Sequence, residues 1–165
     1  MDALEAIGTR RSVREFLAED VQESLINDIL EAGRWAPSGL NNQPWKFAVV
    51  KDRGLREKLA KCTKYGKTVM AAPVSIAVFL DSKEGYNRTK DVQAVGACIQ
   101  NMLLATHALG LGAVWLGEII NQREEAEKVL NAPEGCELMA VIAIGKPVEK
   151  KRTSMRKRIG DITLG

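Results

Sequence analysis

The chain has 165 residues, 45% hydrophobic and 27% charged, and its formal net charge is +3. This balance predicts one globular domain over residues 1–165 rather than a disordered chain. Three widely spaced cysteines (Cys62, Cys98 and Cys136) and one histidine (His107) exclude a disulfide framework and leave no histidine cluster for a catalytic metal. The sequence contains no run of about 18 apolar residues, so it predicts no membrane helix, and its first residues do not resemble a signal peptide. We therefore expect a cytoplasmic protein.

Capping patterns predict three helix starts. Each start pairs an Asp or Asn with a Glu three residues later, where the two side chains can satisfy free backbone N–H groups. The pairs are Asp2 with Glu5, Asp20 with Glu23, and Asn121 with Glu124. We therefore expect helices over about 3–8, 21–32 and 121–130.

The segment 91–109 predicts a buried helix. Apolar residues cover almost its whole circumference, and small ones such as Ala97 and Ala105 would let neighbouring backbones approach closely. Gly110 is suited to the position after its end. So enclosed a helix is unusual in an 18.1 kDa chain, and it indicates association of two copies.

Four apolar runs predict strands, over 45–50, 74–80, 113–116 and 138–144. The second and fourth runs are almost continuously apolar, as in strands that are covered on both faces. Helices alternate with these strands. The pattern predicts an α/β or α+β fold with a central sheet wrapped by helices.

Two basic clusters lie far apart in the sequence. The first comprises Arg10, Arg11, Ser12 and Arg14, and the second is the segment 146–158, with seven Lys or Arg residues and one Glu. Arginines can hold a phosphate by paired hydrogen bonds, and a basic tail can bind nucleic acid or a phosphate ligand. Two solvated charged segments would have the same composition, and the sequence alone does not bring them together.

An amide-rich loop, residues 36–45, links the second helix to the first strand. Two prolines stiffen it, and its amides can donate and accept hydrogen bonds, which suits a planar heterocycle. An ordinary connector rich in turn formers is the alternative. No Walker loop, Rossmann fingerprint, GxSxG or HExxH motif is present.

Taken together, these segments resemble the nitroreductase family of flavin enzymes. The matching blocks are TRRSVREF, APSGLNNQPWKFAVV, DVQAVGACIQNMLLATHALGLGAVWLG and VIAIGKP, and they span essentially the whole chain in the expected order. The resemblance implies an α+β fold with a mixed central β-sheet wrapped by helices. It also implies an intertwined homodimer that binds FMN at two clefts between the subunits.

Matching positions imply the residues that bind the cofactor. The FMN phosphate, ribityl chain and pyrimidine edge would be held by Arg10, Arg11, Ser12 and Arg14, joined near the phosphate by Arg156 and Arg158. The other subunit would contribute Pro37, Ser38, Gly39 and Asn41, with Gln43 nearby. One face of the ring would be lined by Leu116, Gly117 and Glu118. This short chain lacks the inserted helices that cover the flavin in longer relatives, so its pocket would be open or covered by the segment 60–70. A lysine from that region often contacts the flavin in relatives, which makes Lys64 or Lys67 a further candidate.

The resemblance implies an oxidoreductase that passes reducing equivalents from NAD(P)H to a small acceptor such as a nitroaromatic compound or a quinone. One open ring face would serve both substrates in turn, which predicts ping-pong kinetics. No side chain is assigned as a catalyst, no metal is expected, and His107 is expected to be structural. Two alternatives stay open: a flavin-binding sensor without turnover, and a nucleic-acid binder that uses the basic tail.

Overall fold

The structure is a computed structural model that describes residues 1–164. Six helices are present in this range: α1 (Ala3–Thr9), α2 (Glu23–Arg34), α3 (Arg53–Ala60), α4 (Gly66–Ala71), α5 (Arg88–Ala108) and α6 (Arg123–Val129). The strands are β1 (Trp45–Val50), β2 (Val74–Asp81), β3 (Gly112–Leu116) and β4 (Cys136–Gly145). Short 3₁₀ turns cover Gly39–Asn41, Glu118–Gln122 and Ile159–Asp161.

The four strands form one sheet in the order β1-β2-β4-β3, and each neighbouring pair is antiparallel. Parallel pairing, which the expected mixed sheet would contain, is limited to an isolated bridge between Ser12 and Ala113. The α+β class is confirmed. Because β1 and β3 are the edge strands, the residues that precede them lie at opposite edges of the sheet.

Helices cover both faces of this sheet. One core layer packs α2 and α5 on the sheet, with Ile29, Ile99 and Met102 among its buried side chains. The opposite layer packs α3, α4 and α6, with Leu59 and Ala126 buried. All eight residues of β2 are buried, which confirms the expectation from its continuous apolar run.

The predicted strands and the first helix are confirmed, and two predicted helix starts are wrong. Asp2 caps α1 by accepting from the Glu5 backbone N–H at 2.8 Å. The second helix begins at Glu23 rather than 21, because Val21 is anchored in the core and Gln22 is extended. Asn121 lies within a 3₁₀ turn that runs into α6, and its amide donates to the Glu118 carboxylate instead of capping a helix.

The long helix α5 is buried on one side only within a single chain. Its inner side is fully buried, whereas Val92, Ala97, Leu104 and Ala105 are half-buried. Gly110 follows the helix with φ +77°, a conformation that favours glycine. An apolar strip of α5 therefore remains accessible. Within residues 1–164, no helix is both long and apolar enough to cross a membrane.

Two glycine substitutions test the packing of α2 against α5. A Cβ on Gly33 would lie 2.8 Å from Met102 Cγ and 3.1 Å from Cys98 Sγ, whereas a Cβ on Gly8 meets no atom within 4 Å. We expect Gly33→Ala to lower the free energy of unfolding by about 1 kcal/mol through overpacking. Gly8→Ala, the matched control, should raise it by about 0.5–1 kcal/mol, because alanine favours a helix.

Chemical denaturation at one fixed protein concentration measures both effects. A Gly33→Ala variant as stable as Gly8→Ala would contradict the close contact between the two helices.

Candidate functional site

The first and last segments of the chain meet at an open cavity of about 500 Å³, here called the arginine-rich cavity. Its lining is strongly basic and carries several hydroxyl groups. The residues are Arg10, Arg11, Ser12, Arg14, Glu15, Lys150, Arg152, Thr153, Ser154 and Arg156. The two basic clusters that are distant in sequence therefore lie side by side.

Backbone pairing brings these segments together. The Val13 N–H donates to the Ala113 carbonyl at 2.9 Å, and Val13 packs on Gly112, where a Cβ would lie 2.8 Å from its side chain. Leu17 N–H donates to the Lys146 carbonyl at 2.9 Å, and Val148 N–H donates to the Glu15 carbonyl at 3.2 Å. The segment after α1 thus runs between β3 and the start of the basic tail.

Positive charge in the arginine-rich cavity is poorly balanced. Six Lys or Arg side chains line it against one carboxylate, Glu15, which is paired with Lys150 at 2.9 Å. Burial, followed by the charges of Arg156 and Arg11, lowers the pKa of Arg10. A hydrogen bond from Lys150 lowers the pKa of Glu15. Cations that crowd together in this way fit a phosphate group, which accepts paired hydrogen bonds from arginine.

The arginines of the first cluster have different partners. Arg11 Nη1 donates to the carbonyls of Gly8 and Arg10, both at 2.8 Å, and so satisfies carbonyls at the end of α1. Arg158, which was expected near the phosphate, pairs instead with Asp161 at 3.3 Å and is not part of the cavity lining. Arg10 and Arg14 line the cavity without such a role, whereas Arg156, which also lines it, donates from Nη1 to the Met155 carbonyl at 2.8 Å and to Ser154 Oγ.

The amide-rich loop lies at the diagonally opposite corner of the sheet. It precedes Trp45, which pairs with Leu80, whereas the arginine segment bridges Ala113, whose partner on β4 is Ile144. Across the sheet, the amide-rich loop and the arginine segment are separated by three strand spacings, about 14 Å. Along the strands, they are separated by six or seven residues, roughly 20 Å. One chain therefore does not bring Pro37, Ser38, Gly39, Asn41 and Gln43 to its own arginine-rich cavity.

The same loop has a strained backbone. Leu40, Asn41 and Gln43 all have positive φ, between 48° and 55°, although none is glycine. Such conformations cost about 1–3 kcal/mol each and concentrate where a surface is shaped for binding. Within the loop, the Gln43 N–H donates to Ser38 Oγ at 3.0 Å, and Gln43 Nε2 donates to the Asn41 carbonyl at 3.1 Å.

The end of β3 carries the expected ring-face residues. Leu116 is buried, Gly117 is half-buried, and Glu118 turns toward the segment between α3 and α4. The Glu118 carboxylate accepts from Thr63 Oγ1 at 2.8 Å and from the Lys64 N–H at 2.9 Å, and these hydrogen bonds lower its pKa. Lys64 Nζ lies 4.0 Å from Glu118, whereas Lys67 is exposed on α4.

Five lining residues of the cavity were not predicted from the sequence as site residues: Glu15, Lys150, Arg152, Thr153 and Ser154. The charge of the segment 146–158 was the available signal. The path of this segment could not be predicted from the sequence, because it depends on the backbone pairing of residues 146–148 with residues 15–17.

His107 lies at the base of a second cavity of about 260 Å³, which shares Arg10, Arg11, Lys150 and Arg152 with the first. The Thr9 hydroxyl donates to the Glu5 carbonyl at 2.6 Å, so His107 Nε2, at 2.8 Å, donates to Thr9 Oγ1. Burial, then Arg10 and Arg11, lowers the pKa of His107. The lowered pKa favours the neutral ring, and the hydrogen bond to Thr9 links α5 to α1.

Comparison with known proteins gives one consistent result. The model of the nitroreductase family matches residues 7–64 and 60–146. A Methanothermobacter thermautotrophicus protein, provisionally named NADH dehydrogenase/NAD(P)H nitroreductase, is 41% identical over 93% of this chain and 81% of its own. A similarly named Archaeoglobus fulgidus protein is 36% identical over 91% of this chain and 88% of its own.

Solved structures agree in fold. A crystal structure of a Desulfovibrio desulfuricans protein, provisionally named a nitroreductase and determined in complex with FMN, superposes with a TM-score of 0.92. It is 47% identical in sequence, and the superposition covers 100% of this chain and 97% of that one.

The single histidine gives a direct test of the charge in the two cavities. The pKa of His107 is lowered in the folded chain, so the unfolded chain binds more protons as the pH falls from about 6.5. The contribution of neutral His107 to the free energy of unfolding is fully present above the pKa that this histidine has in the unfolded chain. It is lost as the pH falls through the lower pKa that His107 has in the folded chain. We expect the His107 imidazole NMR signal to titrate below pH 6.5, and at a higher pH in Arg10→Ala.

Arg53→Ala is the control, because Arg53 pairs with Glu57 on α3, away from both cavities. A His107 pKa at or above 6.5, or an equal shift in both variants, would contradict this electrostatic account.

Proposed function

The chain belongs to the nitroreductase family, and we propose that it is an FMN-dependent oxidoreductase that moves reducing equivalents from NAD(P)H to a small acceptor such as a nitroaromatic compound or a quinone. The observation that carries the proposal is the convergence of Arg10, Arg14 and Arg156 on one cavity. These arginines lie in segments that come from opposite ends of the sequence.

The arginine-rich cavity has the chemistry of a phosphate site. Arg10, Arg14 and Arg156 would bind the FMN phosphate, with hydroxyls from Ser12 and Ser154 beside them. Burial, followed by the charges of Arg156 and Arg11, lowers the pKa of Arg10, and a phosphate dianion would offset the repulsion among these cations. Arg11 would contribute charge while its guanidinium supports the end of α1.

A homodimer would complete the site. The amide-rich loop and the arginine-rich cavity lie at opposite corners of one sheet, so a partner copy is the natural source of Ser38, Gly39 and Asn41. The half-buried strip of α5 supports association, as do exposed apolar residues on α1 and the tail. The most exposed of these are Leu4, Met155, Ile159, Ile162 and Leu164.

Hydride transfer would need little acid–base chemistry from the chain. When bound, FMN supplies hydride acceptance and release at N5, which no side chain of the protein provides. Gly117 would leave room for a substrate beside the ring because it has no side chain, and backbone amides around it can donate hydrogen bonds. His107 is held by Thr9 and serves structure rather than proton transfer.

Binding of FMN should depend on the phosphate. We expect FMN to bind more tightly than riboflavin, and Arg10→Ala and Arg14→Ala each to weaken FMN binding by about 1.5–3 kcal/mol, the scale of a lost charge-assisted hydrogen bond. Fluorescence titration measures the dissociation constants, with Arg53→Ala as a surface arginine control. Equal affinities for FMN and riboflavin would exclude the arginine-rich cavity as the phosphate site.

Association and cofactor binding should fail together. Ala97→Arg or Ala105→Arg would place a charge on the half-buried strip of α5, where an unpaired charge is costly in an interface. We expect sedimentation velocity to show monomers that no longer retain FMN. Ala18→Arg, at an exposed loop position, should leave both properties unchanged. A folded monomer of the unaltered chain that retains FMN would rule out the homodimer site.

Turnover should follow ping-pong kinetics, because one open face would receive the two substrates in turn. Double-reciprocal plots should be parallel, and His107→Ala should retain the chemical step. Gly117→Val should lower kcat/KM about tenfold or more by crowding the ring face. A Cβ there meets Trp115 only at ordinary distance, 3.5 Å from Nε1, so the variant should fold. Intersecting lines, or loss of turnover in FMN-loaded His107→Ala, would refute this mechanism.

A further inference from the structure

A buried carboxylate outside the arginine-rich cavity connects three segments of the chain. Asp91 lies in the first turn of α5 and is 2% exposed. Its Oδ1 accepts from Asn42 Nδ2 at 2.8 Å, and its Oδ2 accepts from the backbone N–H groups of Tyr86 at 3.0 Å and Asn87 at 2.9 Å. Asp91 therefore ties α5 to the turn 82–87 and to the amide-rich loop.

The orientation of the Asn42 amide is fixed by its partners. Besides Asp91, the Nδ2 group donates to the Glu84 carbonyl at 2.8 Å. A flipped amide would place its oxygen against these two acceptors, so only one orientation is chemically possible. Among the described residues, the buried Asn42 Oδ1 has no hydrogen-bond partner. Asn42 is thus used to hold the loop in place.

A second contact joins the same loop to the turn that Asp91 holds. The Tyr86 side chain packs directly on Gly39, where any Cβ would overlap the Tyr86 hydroxyl. The backbone of Tyr86 is in turn fixed by Asp91 Oδ2. Asp91 therefore supports the loop at Asn42 directly and at Gly39 through Tyr86.

We propose that Asp91 is a positioning residue for the cofactor. It holds Asn42 and Tyr86, so that residues Ser38–Asn41 keep the conformation that contacts FMN bound to the partner chain. The loop needs such support, because Leu40, Asn41 and Gln43 have left-handed backbone conformations that would relax without it. This inference rests on the proposed function. It assigns a role to a side chain that touches neither the cofactor nor the substrate.

Asp91→Asn is the sharpest variant, because it keeps the shape of the side chain. The oxygen of the introduced amide can still accept from Tyr86 and Asn87, but its NH₂ group then faces Asn42 Nδ2, so two donors oppose each other. Asn42→Asp instead places the carboxylate introduced at position 42 against the carboxylate of Asp91, so two acceptors face each other. In the double variant Asn42→Asp/Asp91→Asn, the amide introduced at position 91 donates to the carboxylate introduced at position 42, which restores the link between these two side chains. The hydrogen bond to the Glu84 carbonyl stays lost, as it is in Asn42→Asp.

The matched control is Asp81→Asn. Asp81 is also a buried carboxylate that accepts a backbone N–H, from Lys83 at 3.0 Å, and it pairs with Lys46 at 3.6 Å. It lines a separate cavity with Phe79 and Cys136 and has no side-chain hydrogen bond to the amide-rich loop. A general loss of stability would affect both Asp variants, whereas loss of positioning would affect only Asp91→Asn.

Two measurements on the full chain decide the matter: the FMN dissociation constant by equilibrium dialysis, and hydrogen exchange of a peptide covering the loop compared with one covering β2. We expect Asp91→Asn to bind FMN at least about tenfold more weakly. Its loop amides should exchange faster, with β2 unchanged. Asp81→Asn should stay within about twofold of the unaltered chain. The double variant should bind more tightly than Asn42→Asp, because both lose the hydrogen bond to Glu84 and only the double variant restores the link to position 91.

The proposal is overturned if Asp91→Asn binds FMN within about twofold of the unaltered chain, if Asp81→Asn loses as much affinity, or if the double variant binds FMN no more tightly than Asn42→Asp. Failure of the unaltered chain to bind FMN would instead remove the proposed function. In that case hydrogen exchange still decides whether Asp91 holds the loop, because unchanged loop exchange in Asp91→Asn excludes it.

Discussion

Repulsion among like charges at one corner of the sheet is the constraint on which the account of the site depends. Six cationic side chains surround a cavity with a single carboxylate, and that carboxylate is already paired. Burial, and after it the neighbouring arginine charges, lowers the pKa values of both Arg10 and His107. The folded chain tolerates this crowding because backbone pairing at Val13, Leu17 and Val148 holds the two segments together. An anionic ligand would turn that repulsion into binding energy.

The sheet then explains why, in the proposed homodimer, one chain would supply only part of the site. Its strand order places the amide-rich loop and the arginine-rich cavity at opposite edges, and the antiparallel register places them at opposite ends. No hinge within the chain would bring them together without dismantling the core on both faces. A second copy satisfies the geometry without any such change. It would also cover the half-buried strip of α5, so in the proposed homodimer cofactor binding and association would share one physical origin.

The sequence predicted the features that depend on local pattern. Apolar runs placed β1 with the correct bounds and the other strands within two residues. The resemblance identified four of the five arginines that line the cavity, but it missed Arg152 and included Arg158, which lies outside the lining. Helices α3 and α4 were missed, because they are short and owe their stability to the burial of Leu59 and Val69. The partners of Glu118 and Arg158 depend on tertiary contacts with Thr63 and on the turn at Asp161, which no periodicity encodes.

Subunit complementation tests the central claim, that the arginine cluster of one chain and the loop of another form one FMN site. Arg10→Ala alters the cluster, and Asn41→Gly removes the loop amide while allowing positive φ. Each variant alone should bind FMN weakly. After unfolding and refolding as an equal mixture, about a quarter of all sites should combine an intact cluster with an intact loop and bind FMN tightly. A mixture that binds no more FMN than the two variants measured separately would contradict the shared site.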